Sequence, residues 1–269
     1  MKIGVVHVNT ESASGPYTEL IGANLERARA SGTELVHRYV KHLRRATDTA
    51  IAYPTLLNKV DVVAEMVQLE KDGVDAVMVA CSGDPGVVEA RTLLQIPVVG
   101  PMEAALLLAC SYGRRFGIVT VADRTWSGYM EEAVQLHGLN DRYAGQRQLE
   151  TPTHVIFTKG FEDRDMVADD IRARAAEMVE DGAEVILMGS AGLSTFASYC
   201  GVSQIDDPEV PIFDVISIGL KAAEMRVEIQ QKLGGPPVSR AGWYSHYPAS
   251  ERERVDRQFG FIPPPDSGQ

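Results

Sequence analysis

Two apolar runs in the chain have matching surroundings and stand 109 positions apart. The first is Asp72-Gly-Val-Asp-Ala-Val-Met-Val-Ala-Cys81-Ser-Gly83, and the second is Asp181-Gly-Ala-Glu-Val-Ile-Leu-Met-Gly-Ser190-Ala-Gly192. Each run is short, continuous and aliphatic, which predicts a buried β-strand. Cys81 in the first copy corresponds to Ser190 in the second. The pattern therefore indicates a duplicated unit with one chemically unlike position.

The repeat continues on both sides of these runs. A helix is predicted upstream of each run because apolar residues recur there at helical spacing. A similar strand opens each half, and another short apolar run follows a proline near its end, so each half reads strand, helix, strand, helix, strand. The matching segments are residues 2–10 and 115–123 for the opening strands, 61–71 and 170–180 for the helices, and Pro97 and Pro211 for the prolines.

Short apolar strands that alternate with helices indicate a parallel sheet covered on both faces. The predicted fold class is therefore α/β, with two pseudo-symmetric halves. Further helices are predicted over residues 102–112 and 215–233. The tail from Gly234 contains Pro236-Pro237 and Pro263-Pro264-Pro265, and we expect it to be irregular and surface-lying.

Polar residues follow four of the predicted strands. Ligands of open α/β sheets bind beyond the carboxyl ends of the strands. If the halves face each other, Asn9, Cys81, Thr120 and Ser190 converge on one cleft. An amide such as Asn9 suits a carboxylate or an imide, although an asparagine that starts a turn is an equally ready explanation.

The segment Cys81-Ser-Gly-Asp-Pro-Gly86 is predicted to end a strand and start a helix, with Asp84 as the helix N-cap. A helix N-terminus beside Cys81 favours a thiolate. The backbone amides of Ser82 and Gly83 can hold a substrate carboxylate or an enolate oxygen. The simpler alternative is that Cys81 is a small buried apolar residue.

Ser190 does not have the chemistry of a cysteine. Its hydroxyl is far less acidic than a thiol, so it can relay a proton or donate a hydrogen bond but cannot wait as an anion. The Ala191 amide is a further candidate for binding substrate, and the alternative for Ser190 is a plain helix cap. His7 points to the same side of its strand as Asn9 and is a candidate relay, with a core histidine as the alternative.

Composition excludes several classes of protein. A net charge of −11 over 269 residues argues against a nucleic-acid surface, and the apolar runs are shorter than a membrane span needs. The first residues enter a strand without a signal peptide, and three cysteines fit a reducing cytoplasm. Cys110 and Cys200 are interpreted as packing residues. No Walker loop, GxGxxG or HExxH is present, so we expect no cofactor and no metal.

Residues 1–235 resemble the aspartate/glutamate/hydantoin racemase superfamily, and within it the hydantoin racemase-like branch. The most specific stretch is Cys81-Ser-Gly-Asp-Pro-Gly86 followed by Ile96-Pro-Val-Val-Gly-Pro101 and Glu103-Ala-Ala105, and Val8-Asn-Thr10 resembles the end of the family's opening motif. The resemblance implies two Rossmann-like lobes with a cofactor-free active site between them. It also implies a returning C-terminal helix and a homo-oligomer. The expected lobes are residues 1–100 plus 215–269, and 101–214.

Family racemases use two cysteines, one on each face of the stereocentre. In this chain Ser190 stands at the position of the second cysteine. The resemblance implies a cofactor-independent racemase, epimerase or related isomerase that acts beside the carbonyl of a small carboxylate, amide or cyclic ureide. Cys81 would be the acid or base on one face and Ser190 would serve the other. Alternatives are a single-cysteine decarboxylase, lyase or hydrolase, or a ligand-binding protein on a decayed scaffold. Tyr17, Trp126 and Tyr129 are candidates for shaping the pocket.

Overall fold

A computed structural model describes residues 1–261 of the chain. Pro263-Pro264-Pro265, which we expected to be irregular, lie outside the described residues. The first sheet has the order β2-β1-β3-β4 and is parallel throughout. Its strands are β1 (Lys2–His7), β2 (Glu34–Tyr39), β3 (Ala76–Val79) and β4 (Val98–Val99), and the helices between them are α1 (Pro16–Ala28), α2 (Ala52–Lys71) and α3 (Val87–Leu93).

The second sheet has the order β6-β5-β7-β9-β8 and is parallel except for the antiparallel pair β8 and β9. Its strands are β5 (Phe116–Thr120), β6 (Tyr143–Gln148), β7 (Val185–Met188), β8 (Gln204–Asp206) and β9 (Glu209–Phe213). The remaining helices are α4 (Pro101–Tyr112), α5 (Arg124–Leu136), α6 (Thr153–Ile156), α7 (Arg164–Glu180), α8 (Ala191–Tyr199), α9 (Val215–Leu233) and α10 (Ala249–Gln258).

The central strands form the core of each sheet. Every residue of β3, β5 and β7 is buried, because helices cover both faces of each sheet. This burial explains why these strands read as continuous apolar runs in the sequence. The predicted α/β fold with two parallel-dominated sheets is confirmed.

The duplication extends to the ion pairs. Arg38 on β2 pairs with Asp72 at the end of α2, and Arg147 on β6 pairs with Asp181 at the end of α7. Both members of the second pair lie 109 positions after their counterparts. The two halves therefore repeat a side-chain contact as well as a strand order.

A second repeated ion pair has its charges exchanged. Lys41 Nζ lies 3.6 Å from Glu65 Oε1 in the first half. The corresponding residues of the second half are Glu150 and Arg174, whose Oε1 and Nη1 atoms are 3.4 Å apart. The contact is conserved between the halves although each position has changed sign.

The structure adds elements that the hydrophobic pattern does not predict. Strands β2 and β6, each at one edge of its sheet, are absent from the predicted order because their residues are mostly half-buried and many are polar. The other edge strand of the second sheet, β8, is absent from that order as well. The tail differs as well: residues 249–258 form α10, where we expected irregular chain, and no residue of that helix is buried.

The C-terminal part of the chain packs against the first half. Helix α9 contacts α4 and lies against β3 and β4. Beyond it, the Arg240 guanidinium donates 2.6 Å hydrogen bonds to the carbonyls of Arg91 and Leu94 at the end of α3. The assignment of residues 215–269 to the first lobe stays a prediction.

No helix among the described residues is long and apolar enough to cross a membrane.

Candidate active site

A cavity of about 410 Å³ opens where four strands end. Residues that follow β1, β3, β5 and β7 all contribute to its wall, so both sheets face it. In the first sheet, β1 and β3 are neighbours whose connections run in opposite directions, which is where open α/β sheets bind ligands. The cavity wall includes Asn9, Tyr17, Arg44, Thr49, Cys81, Asp123, Trp126, Thr153, Phe157, Ser190 and Ala191.

The structure brings four of the seven predicted site residues to the cavity wall: Asn9, Cys81, Ser190 and Ala191. Of the other three, Thr120 and Ser82 lie buried behind the wall, whereas Gly83 is exposed. The Thr120 hydroxyl is fully buried and donates to the Gly189 carbonyl at 3.4 Å. Ser82 is also fully buried, and its hydroxyl has no hydrogen-bond partner among the described residues. Gly83 packs under the ring of Trp126.

Cys81 is a buried neutral thiol. Its pKa is raised to about 12, mainly by burial and to a smaller extent by the Asp84 carboxylate, against the opposing effects of the Gly83 N–H and the Thr49 hydroxyl. The expected thiolate is therefore not favoured at ordinary pH. The physical reason is that burial outweighs the Gly83 N–H and the Thr49 hydroxyl, while α3 begins only at Val87, six residues after the cysteine.

Asp84 does not cap α3 as predicted. Gly86, in the left-handed region with φ 79°, precedes that helix instead. The Asp84 carboxylate turns toward α4 and accepts hydrogen bonds from the N–H groups of Met102 at 3.1 Å and Glu103 at 2.8 Å. The motif thus joins the Cys81 turn to a helix that begins 17 residues later in the chain.

Ser190 combines both roles considered for it. It is the N-cap of α8, and its Oγ accepts the N–H of Leu193 at 3.5 Å. It also lines the cavity. Since Oγ acts only as an acceptor in this long bond, its own hydrogen remains available to a ligand.

Asn9 presents an acceptor to the cavity. Its Nδ2 donates to the Thr10 carbonyl at 3.2 Å and to the hydroxyls of Ser14 and Thr18 at 3.5 Å. Its Oδ1 accepts no hydrogen bond from any residue in the described part of the chain. The free group at this position is therefore a carbonyl oxygen, which suits a ligand N–H better than a carboxylate.

His7 is a core residue and not part of the cavity wall. Its Nε2 lies 2.9 Å from His37 Nδ1, and its ring stacks on His37 and Tyr39. Burial, with a smaller effect of His37, lowers the pKa of His7 to about 3, so the ring stays neutral at ordinary pH. The structure does not bring it to the candidate catalytic residues.

Aromatic side chains hold the two turns of the site in place. Trp126 Nε1 donates to the Gly189 carbonyl at 2.5 Å, while its ring edge would lie 3.2 Å from a Cβ at Gly83. Trp126 therefore contacts the turn after β3 and the turn after β7. Tyr129 packs on Trp126 and does not line the cavity.

Two parts of the wall were missed in the sequence. Phe157 forms an edge-to-face contact with Tyr17 at 5.3 Å between ring centroids, and both rings crowd the α-carbon of Gly192. Residues 44–50 form another side of the cavity. The sequence repeat could have predicted part of this wall, because Arg44 and Thr153 are 109 residues apart and both line the cavity.

The Asp/Glu/Hydantoin racemase family model matches residues 3–223 of the chain. The chain belongs to this family. Hydantoin racemase of Pseudomonas sp. (strain NS671) is 33% identical over 234 residues, which are 86% of this chain and 88% of that protein. Hydantoin racemase of Paenarthrobacter aurescens is 28% identical over 91% of this chain and 96% of its own length.

Solved structures of family members have the same fold. Allantoin racemase from Klebsiella pneumoniae superposes with a TM-score of 0.75 and 26% identity, covering 92% of this chain and 94% of its own. The expected superfamily and its hydantoin racemase-like branch are confirmed. As a family member, the chain is a racemase-superfamily isomerase that acts at a carbon beside a carbonyl group.

Proposed function

We propose that this racemase-family enzyme inverts a stereocentre beside a carbonyl of a cyclic ureide or related amide, using Cys81 on one face and Ser190 on the other. The observation that carries the proposal is that these two residues occupy matching positions of the duplicated unit and line one cavity. The hydantoin and allantoin racemases that the chain resembles supply the substrate class. No cofactor takes part in the proposed reaction.

The proposed chemistry is a proton transfer across the substrate plane. The Cys81 thiol first gives its proton to water. The thiolate then takes the α-proton, so the C–H bond breaks, an S–H bond forms and the electron pair moves to the carbonyl oxygen as an enolate. The backbone N–H group of Ala191, on the cavity wall at the start of α8, would stabilise that oxygen. Ser82 and Gly83, also expected to do so, lie off the wall, and the Gly83 N–H already faces the Cys81 sulfur. The Ser190 hydroxyl then gives its proton to the opposite face of the carbon and recovers one from water.

The neutral state of Cys81 sets the energy of the first step. With a pKa of about 12, forming the thiolate at pH 7 costs about 7 kcal/mol, since each pKa unit is about 1.4 kcal/mol. That amount fits within the barrier of a typical enzyme-catalysed reaction. Substrate binding would lower it if donors of the substrate approach the sulfur.

Asn9 supports an N–H-bearing substrate. Its Oδ1 is the free acceptor at the end of β1, and a hydantoin or another cyclic ureide offers ring N–H donors. We expect methylation of the ring nitrogen that faces Asn9 to weaken binding, seen as a rise in KM about tenfold or more, because it leaves a buried acceptor unpaired. An equal KM for the N-methylated and parent compounds would argue against this contact.

Deuterium exchange in D2O tests the proposed function. The racemase should introduce deuterium at the α-carbon of recovered substrate, while Cys81→Ala should not. Cys110→Ala is the matched control, since Cys110 lies on α4 and does not line the cavity. Full exchange by Cys81→Ala would overturn the assignment.

A second candidate reaction is decarboxylation, with Cys81 as the proton donor to a carbanion. The neutral thiol favours it, because a group that holds its proton at rest is ready to donate. A lyase or hydrolase with Cys81 as nucleophile is a further alternative. Release of CO2 from an α-carboxylated substrate, without exchange at the α-carbon of an uncarboxylated one, would identify the decarboxylase.

We also propose that the enzyme is a cytoplasmic homo-oligomer. Its three cysteines are free, which fits a reducing compartment. Five large apolar side chains are exposed on and just before the first turns of α2, whereas three of the five positions 109 residues later carry the acidic residues Glu162, Asp165 and Asp169. Light scattering on the purified protein tests the association. The exposed apolar residues are Ile51, Tyr53, Leu56, Leu57 and Val60.

A further inference from the structure

The Asp84 carboxylate occupies an unusual position behind the candidate active site. Its backbone has φ 46°, in the left-handed region that few non-glycine residues adopt, and its N–H donates to the Cys81 carbonyl at 3.2 Å. The side chain points away from the cavity wall and binds the first turn of α4 through Met102 and Glu103. Such backbone strain is kept only where surrounding contacts compensate for it.

The Asp84 carboxylate packs directly against the backbone of Gly100. A Cβ at Gly100 would lie 2.6 Å from Asp84 Cγ and closer still to its Oδ2, so only glycine fits there without displacing the carboxylate. The two N–H groups that donate to the Asp84 carboxylate have no partner within α4, because they belong to its first turn. A negative charge is stabilised at such a helix N-terminus. The Cys81 turn is therefore fastened to α4 through a single acidic side chain.

The charge of Asp84 also acts on Cys81. The pKa of Asp84 is raised to about 7, mainly by burial and less by the Glu103 charge, while the two backbone donors and Arg91 oppose the rise. The Arg91–Glu103 ion pair, 2.8 Å long, faces Asp84 from α3 and α4, with Arg226 and Tyr244 interacting with that pair from outside. Asp84 itself raises the pKa of Cys81.

We propose that Asp84 is a positioning residue of this racemase, which holds the Cys81 turn against α4 and sets how readily Cys81 releases its proton. The inference rests on the proposed catalytic role of Cys81. It assigns the aspartate of the Cys-x-x-Asp-Pro-Gly segment a function other than starting the helix that follows it.

The Asp84→Asn variant separates charge from shape. The amide keeps one oxygen acceptor for α4 and removes the negative charge near the sulfur. Cys81 should then become more acidic, and its alkylation near pH 8 should accelerate about tenfold, the equivalent of one pKa unit. Turnover should fall at the same time, because one of the two bonds that fix the turn is lost.

The measurement is the rate of alkylation by iodoacetamide between pH 6 and 11, in a Cys110→Ser, Cys200→Ser background where Cys81 is the only thiol. Asp163→Asn is the matched control: Asp163 caps α7 through the Met166 N–H at 3.2 Å and lies outside the cavity wall. A shifted profile for Asp84→Asn with an unshifted control supports the proposal. Identical profiles for Asp84→Asn and the parent overturn it.

Gly100→Ala is the second variant if Asp84→Asn does not fold. Its methyl group displaces the carboxylate without removing it, so we expect slower turnover and a changed alkylation profile. An unchanged profile with normal turnover overturns the proposal. Deuterium exchange that persists in Cys81→Ala would contradict the proposed function of Cys81. The alkylation profiles test the role of Asp84 independently of that result.

Discussion

Trp126 offers the sharpest test of how the site is built, because one side chain contacts both turns. Trp126→Phe removes the donor to the Gly189 carbonyl and shortens the ring that lies against Gly83. The buried carbonyl would keep only the long 3.4 Å bond from Thr120. A lost hydrogen bond to a buried group and a small cavity together should lower the free energy of unfolding by about 2–4 kcal/mol.

Trp126→Phe should also slow catalysis, because it alters the position of the turn that carries Ser190. If the turn before Ser190 moves by about 1 Å, turnover should fall about 100-fold, since reacting groups tolerate little displacement. We expect the loss mainly in kcat, because Trp126 is not one of the groups proposed to bind substrate N–H. Deuterium exchange measures turnover, and urea unfolding measures stability.

The chain contains a matched control in its other tryptophan. Trp243 is 80% exposed whereas Trp126 is 7% exposed, so Trp243→Phe should change the free energy of unfolding by less than about 0.5 kcal/mol. The reasoning is refuted if both variants unfold at the same urea concentration and exchange deuterium at the parental rate.

Three further changes have defined outcomes. Ser190→Ala should still wash deuterium into the enantiomer whose proton faces Cys81, but without inversion; chiral chromatography of the deuterated product checks this, and racemic product would contradict it. Alkylation of Cys81 should rise about tenfold per pH unit from pH 7 to 10, because burial raises its pKa to about 12 and only the thiolate reacts; a plateau below pH 9 would show an acidic thiol instead. Gly192→Ala should destabilise the fold by about 1–3 kcal/mol and reduce turnover, because the new methyl group would overlap Tyr17 and Phe157; thermal unfolding at the parental temperature would argue against that contact.

The sequence predicts the elements whose residues are buried on all sides. Strands β3 and β7 are recognised because each is a continuous apolar run, and the repeat then places Cys81 and Ser190 at matching ends. Strands β2 and β6 are not recognised in this way, since β6 is mostly polar and takes its place in the sheet by pairing with β5. Pairing between strands is not visible in the pattern of one segment.

Long-range contacts account for the rest of what was missed. Asp84 reads as a cap for the helix that follows it, but the N–H donors it reaches belong to α4. Local sequence also favours an acidic Cys81, whereas burial by residues distant in the chain has the larger effect on its pKa. Phe157 joins the wall only because α6 folds against α1, which brings it to Tyr17.

The exchanged ion pair has a consequence for how the duplicated chain folds. Two similar halves in one polypeptide can mispair, with a helix of one half docking on the loop of the other. If α7 took the place of α2, Arg174 would face Lys41, and in the reverse exchange Glu65 would face Glu150. Like charges would meet in both wrong arrangements and opposite charges in both correct ones. The reversed charges thus favour docking of each helix in its own half over docking in the other half.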